Sequence, residues 1–240
     1  MLVPSAAVRL VAEPKPGGVR WLARLDARTG AAYAASVAPF VPAIERALPS
    51  AVVANRVVFA RINPPAIRLE SWRAARSRFR RLVRAGASGA GAALMTDVRE
   101  CYASIGAPLV AQALEGLGVG RAELASVLAL LRGLEMHGVR GLPIGPDASA
   151  VLANAVLLRI DRRLAETGFA HVRWVDDLIV FADDGGAAED ALGIVRTTLA
   201  EMSLAPAEHK TRVVVDPALI RDGGPMPGSG PRPRTARARG

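Results

Sequence analysis

The run Arg173-Trp174-Val175-Asp176-Asp177-Leu178-Ile179-Val180-Phe181 constrains this chain more than any other segment. Trp, Val, Ile and Phe favour strands and adjacent aspartates disfavour them, so the run predicts a β-hairpin with both acids at its turn. Side-by-side carboxylates raise each other's cost of ionisation unless a cation, an arginine or bulk water offsets it. Two readings stand at this point: a solvated surface turn, or a pair of ligands for a hard cation such as Mg²⁺.

At 240 residues the chain has room for one sizeable domain, or one domain with a small appendage. Hydrophobic residues make up 51% of it, with only five Phe, three Trp and two Tyr among them, so the core is built from Ala, Val and Leu. That composition suits helices packed on a sheet, an α+β or α/β fold. The single Cys101 excludes an intramolecular disulfide and an all-cysteine zinc site, and three scattered histidines argue against a zinc cluster. Residues 1–15 lack an uninterrupted apolar stretch of signal-peptide length. The apolar run over residues 148–158 is broken by Ser149 and Asn154 and is too short to span a bilayer. A cytoplasmic protein with no membrane partner is the expectation.

Net charge is +9, from 31 Lys and Arg against 22 acids, and its distribution matters more than its total. Between Arg56 and Arg84 there are nine Arg and one acid, Glu70. Arg73, Arg76, Arg80 and Arg84 recur at three and four, with Trp72, Ala75, Phe79 and Leu82 opposite, which predicts an amphipathic helix with a cationic stripe. A solvated face is one reading. An Arg-only stripe repels itself, however, and a phosphate backbone lying along it is the better explanation.

Residues 8–26 read as a hairpin around Pro14-Lys15-Pro16-Gly17-Gly18, and residues 31–47 as two short helices or one kinked at Pro39 and Pro42. Residues 86–91 read as a small-residue linker, 92–98 as a buried strand ending near Asp97, and 108–117 and 122–134 as helices. A Gly-rich turn over 138–146 leads into a long helix to about residue 166. The acid hairpin, a helix over 187–202 and a short strand over 211–215 complete the order: strand, helices, strand, strand, helix, strand. This order predicts a ferredoxin-like split βαβ sheet, in which the first strand lies beside the central hairpin and Asp97 meets Asp176 and Asp177. Such a cluster suits two Mg²⁺ ions, or Mn²⁺, in phosphoryl transfer.

Three stretches in this order resemble the palm of a reverse transcriptase. Thr96-Asp97-Val98-Arg99-Glu100-Cys101-Tyr102 resembles the first catalytic motif. Gly141-Leu142-Pro143-Ile144-Gly145-Pro146-Asp147-Ala148-Ser149, followed by Asn154, resembles the template and nucleotide turn. Trp174-Val175-Asp176-Asp177 resembles the aromatic-x-Asp-Asp signature. Glu208-His209-Lys210-Thr211 resembles the segment before the last palm strand, and Lys15 to Arg20 the basic fingers hairpin. The resemblance implies an RNA-directed DNA polymerase with RNA or DNA and deoxynucleoside triphosphates as partners. Asp97, Asp176 and Asp177 would be catalytic metal ligands and Lys210 the group that neutralises or protonates the leaving pyrophosphate. Tyr102 would gate the sugar, Lys15 and Arg20 would grip the triphosphate, and Gly141, Pro143, Gly145 and Ser149 would line the substrate turn.

Departures from the pattern are informative. Ile144 stands where retroviral enzymes place a glutamine, and Trp174 where a Tyr or Phe is usual. The Gly-Pro-Asp-x-Ser wording is similar to abortive-infection and related bacterial groups, many of which act in phage defence. The expected organisation is a fingers-like basic region over 1–90, a palm over 91–216 and a disordered basic tail over 217–240. No thumb is recognisable, which implies a thumb from a second chain, a very short product or a remnant. A catalytically silent nucleic-acid-binding module is the competing reading. A receiver-like phosphoacceptor domain is disfavoured by the antiparallel placement of the acid pair.

Overall fold

The computed structural model describes residues 8–15 and 18–221. Strands β1 (Val8–Lys15) and β2 (Gly18–Leu25) pair antiparallel in full register, as the alternation predicts, and the Pro16-Gly17 turn lies outside the described residues. Helix α1 (Ala27–Val37) starts where the Asp26 carboxylate accepts a hydrogen bond from the Thr29 amide at 2.7 Å. A 3₁₀ turn at Ala38–Phe40 absorbs Pro39 and leads into α2 (Val41–Ala47).

The segment over 56–71, read in sequence only as basic, contains a second hairpin, β3 (Val57–Arg61) and β4 (Ala66–Leu69). Its pattern is hard to read because Val58, Phe59 and Ile62 are exposed rather than alternating with polar residues. Helix α3 (Trp72–Ala87) follows, capped by Ser71. It runs on into the expected linker because Gly86 lies against β-sheet: a Cβ there would come within 2.2 Å of the Phe181 ring.

The central sheet holds β5 (Ala92–Asp97), β6 (His171–Trp174), β7 (Asp177–Ala182) and β8 (Arg212–Val214) in the antiparallel order β6-β7-β5-β8. Between β5 and β6 run α4 (Cys101–Ser104), α5 (Ala107–Glu115), α6 (Arg121–Met136) and α7 (Asp147–Glu166). Helix α8 (Gly185–Glu201) joins β7 to β8. One sheet face presents Ala93, Met95, Val172, Trp174, Ile179 and Phe181 to α3, while the other packs Leu94, Leu178 and Val180 into the larger core with α7 and α8. Helix α7 is apolar around most of its circumference because it is the central helix of that core.

The tail expected from residue 217 does not begin there. Residues Pro217–Arg221 form α9, anchored by the fully buried Ile220 in the core shared with α3, and residues 222–240 lie outside the described residues. Among the described residues no helix is long and apolar enough to cross a membrane.

Candidate active site

Asp97 ends β5 and Asp177 opens β7, and the two are register partners across the strand pair. The end of β5 is held from both sides. Val98 donates its amide to the Asp176 carbonyl at 3.2 Å, and the Asp97 carbonyl accepts from Ala207 at 2.7 Å. Ladder bonds therefore place the first acid beside the two at the turn. One oxygen from each of Asp97, Asp176 and Asp177 lies within 4.8 Å of the others.

The turn itself is under strain. Val175, a β-branched residue, sits in the left-handed region at φ 57°, a placement that costs about 1–3 kcal/mol and persists only where surroundings enforce it. Asp176 and Asp177 are half-buried. Burial first, and then the neighbouring acids, push their carboxyls up to about 6 for Asp176 and about 8 for Asp177. Both shifts run against ionisation, so the cluster as it stands disfavours the charge that its residue types would carry at neutral pH. Three oxygen donors from carboxylates, held together at that cost, fit a hard divalent cation such as Mg²⁺ or Mn²⁺.

Cationic groups surround the acids. Lys210, at the end of a 3₁₀ turn (Glu208–Lys210), donates from Nζ to Asp97 Oδ2 at 2.5 Å. Burial alone would lower its pKa, but the bond to Asp97 and the charge of all three acids raise it, so it is held protonated. Arg20 extends from β2 as an exposed side chain, 3.9 Å from Glu13, and its charge with that of Lys210 opposes the upward shift of Asp176. Lys15 closes β1, and its side chain lies outside the described residues.

Tyr102, on the short helix α4, lies close enough to Asp176 for the acid's charge to raise its pKa beyond the effect of burial, so the phenol stays neutral. The Gly141 turn is stapled to this helix: Leu142 donates its amide to the Tyr102 carbonyl at 2.8 Å. Gly141 sits at φ 60°, and a Cβ there would meet the Tyr102 carbonyl oxygen at 2.3 Å. Only a residue without a side chain allows this approach. Pro143 is buried within the turn, and Gly145, at φ 132°, leads into α7. The neighbouring Ile144 carbonyl accepts from the Ala23 amide at 3.0 Å, which ties the basic hairpin to the turn.

One expected substrate contact is corrected. Ser149 is fully buried, with its hydroxyl 3.1 Å from the Tyr33 hydroxyl, so it has no face open to a nucleotide and serves the core instead. The arginine stripe forms a separate feature. Arg73, Arg76, Arg80 and Arg84, joined by Arg81 and Trp72, line an open cleft of about 810 Å³ that contains none of the three acids. The Arg76 guanidinium lies over the Trp72 ring at 4.6 Å. Two other arginines of the basic segment are structural: Arg56 pairs with Glu45 at 2.7 Å and Arg78 with Glu70 at 2.6 Å.

Sequence reasoning missed a buried group beneath the turn, in which Arg173 is paired with Asp161 at 2.6 Å and His171 lies 3.1 Å from the same carboxylate. The legible sign was Arg173, a cation in a strand flanked by core residues, whereas Asp161 stands among Arg159, Arg162 and Arg163 and does not stand out by residue type. Burial would raise Asp161, but Arg173 and His171 outweigh it and hold its carboxyl below the usual range.

Comparison with known proteins agrees with this arrangement. Residues 46–231, more than half the chain, match the family model described as reverse transcriptase (RNA-dependent DNA polymerase). A retron Mx65 reverse transcriptase from Myxococcus xanthus is 30% identical over 153 residues, which cover 55% of this chain and 36% of the relative. The chain thus spans about a third of the length of that curated relative. Among solved structures, telomerase from Candida albicans in complex with a fragment of telomeric RNA matches with a TM-score of 0.51 at 13% identity. That match covers 86% of this chain and 42% of the telomerase chain, and it supports a reverse-transcriptase-like fold of helices and antiparallel sheets. The chain belongs to the reverse transcriptase (RNA-dependent DNA polymerase) family.

Proposed function

We propose that this chain is a divalent-cation-dependent nucleotidyltransferase that adds deoxynucleotides to a nucleic-acid 3′ end, copying RNA or extending without a template. The observation that carries the reading is the convergence of three carboxylates within 4.8 Å, with Lys210 and Arg20 as cations around them. In this reading the central sheet is a ferredoxin-like palm over 91–216, residues 1–90 are the fingers, and the setting is cytoplasmic phage defence.

Asp97, Asp176 and Asp177 would hold two Mg²⁺ ions, which supply Lewis acidity at the α-phosphate and lower the pKa of the attacking hydroxyl. The primer 3′-oxygen bonds to the α-phosphorus as the bond to pyrophosphate breaks. Arg20, with Lys15, binds the triphosphate. Lys210, held protonated beside the acids, would neutralise or protonate the departing pyrophosphate. Tyr102 packs against the sugar and disfavours a 2′-hydroxyl, and the backbone at Gly141, Pro143 and Gly145 shapes the floor for the base pair. The arginine stripe of α3 binds the phosphate backbone of RNA or DNA.

Radiolabelled dNTP incorporation with Mg²⁺ or Mn²⁺ tests the reading. Joint Asp176→Asn and Asp177→Asn replacement is expected to reduce it by at least about 10³-fold, since several kcal/mol of charge stabilisation is removed. Incorporation that survives the double replacement sinks the assignment. Salt-sensitive RNA binding with no incorporation under any metal or template would instead identify a silent binding module.

A further inference from the structure

The turn that presents the acid pair is gripped from inside the core by a residue the chemistry above does not use. Arg173 lies on β6 with its side chain 1% exposed, directed away from the face that Trp174 shares with α3. Its Nε donates to Asp161 Oδ1 at 2.9 Å and its Nη2 to Asp161 Oδ2 at 2.6 Å. Nη1 donates twice, to Asn154 Oδ1 at 3.0 Å and to the Val175 carbonyl at 2.8 Å. Asn154 and Asp161 lie two turns apart on α7, so one helix face locks the guanidinium. Asn154 is itself fixed by donating to the Ala54 carbonyl at 3.1 Å. The backbone of Arg173 is held too, its amide by the Ala51 carbonyl at 2.9 Å and its carbonyl by the Val53 amide at 3.0 Å.

The Val175 carbonyl belongs to the peptide that leads into Asp176. Valine does not adopt φ 57° by preference. A donor fixed on this carbonyl opposes rotation of the peptide back to an extended conformation, which would carry Asp176 away from Asp97. Only a planar fork reaches carboxylate, amide and carbonyl together, which a lysine ammonium on a flexible stem does not do.

We propose that Arg173, locked by Asp161 and Asn154, is a positioning residue that holds the left-handed turn at Val175 and so keeps Asp176 and Asp177 in register with Asp97 for cation binding. This rests on reading the three acids as a metal site, but not on the polymerase activity itself.

The test measures Mn²⁺ affinity of the full chain by titration calorimetry, beside its thermal midpoint and the Mg²⁺ dependence of dNTP incorporation. Arg173→Lys keeps the charge opposite Asp161 and loses the fork. It is expected to weaken Mn²⁺ binding by about tenfold or more, as loss of groups that orient metal ligands does. The Mg²⁺ optimum should move to higher concentration, while the KM for dNTP stays within about twofold because the nucleotide grip is elsewhere. Adding Val175→Gly to Arg173→Lys should recover Mn²⁺ affinity in part, since glycine adopts the left-handed turn unaided. Should Arg173→Lys fail to fold, Asn154→Ala, which removes one lock, is expected to weaken Mn²⁺ binding in the same direction. A lower thermal midpoint with Mn²⁺ affinity and Mg²⁺ optimum both at wild-type values overturns the proposal. Wild-type chain that binds Mn²⁺ yet incorporates nothing sinks the polymerase reading alone, and the Mn²⁺ arm still decides the role of Arg173. Wild-type chain that binds no Mn²⁺ overturns both.

Discussion

Burial and mutual repulsion push the Asp176 and Asp177 carboxyls up, to about 6 and about 8, and that shift has a measurable consequence for stability. In the unfolded chain both carboxyls would lose their protons near pH 4. A folded pKa above the unfolded one contributes stability that is fully present below the unfolded value and lost as pH rises through the folded value. The metal-free chain is therefore expected to lose thermal stability between about pH 4 and pH 8, with Asp177→Asn flattening the decline. Added Mg²⁺ should restore most of the loss at pH 8, because a cation that binds only the folded, ionised cluster offsets the repulsion. A melting temperature independent of pH over this range would contradict the arrangement. Gly141 makes a second prediction at this scale. Gly141→Ala places a methyl against the Tyr102 carbonyl in a left-handed conformation, and is expected to destabilise by about 1–3 kcal/mol. Denaturant unfolding measures it. The same change should impair incorporation, since the turn and Tyr102 move together. The need for glycine here was not legible in the sequence, because the clash is with a residue nearly forty positions away. The identities of the three acids were legible, because their chemistry is written in residue type and their neighbours are strand formers.

At the scale of elements, α3 divides its arginines by role. Arg80 and Arg84 are exposed on the outer face, whereas Arg78 turns inward to Glu70 and to the Val53 carbonyl at 2.8 Å. Joint Arg80→Gln and Arg84→Gln replacement is expected to flatten the slope of log affinity for RNA against log salt by about 1.4, at about 0.7 per phosphate contact for a single strand. Arg78→Gln should leave that slope unchanged and lower the thermal midpoint, because a buried-side partner is lost rather than a phosphate contact. Filter binding across a salt series separates the two. The helical period of α3 was readable because Ala75, Phe79 and Val83 recur on one side. Which arginines faced a partner inside the protein was not, because Glu70 precedes the helix and its reach to Arg78 depends on how the β3–β4 hairpin folds back.

For the whole molecule, the two-stranded β1–β2 hairpin and the central sheet differ in protection. Every residue of β5 is buried, whereas the first four of β2 are exposed, and exposed two-stranded ladders open locally at low cost. Hydrogen exchange followed by mass spectrometry should show β5 and β7 among the slowest amides, and β1–β2 exchanging orders of magnitude faster. Ala23, tied to Ile144, should be the slow position within that hairpin. Equal protection of the two sheets would show that the hairpin is packed more firmly than its exposure implies. The sequence by itself determined the succession of strands and helices from β5 to β8, the periodic face of α3 and the types of residue at the acid turn, because these depend on interactions within a few positions, but not the β3–β4 hairpin or α9. Only the tertiary structure decided that Ser149 is sealed behind Tyr33 and that Arg173 grips the Val175 carbonyl, and its ladder bonds turned the expected meeting of Asp97 with the acid pair into a register pairing with Asp177. Those outcomes depend on sheet order and on how closely α7 packs beneath the hairpin. Distance between residues far apart in the chain is set by packing, which no local pattern encodes.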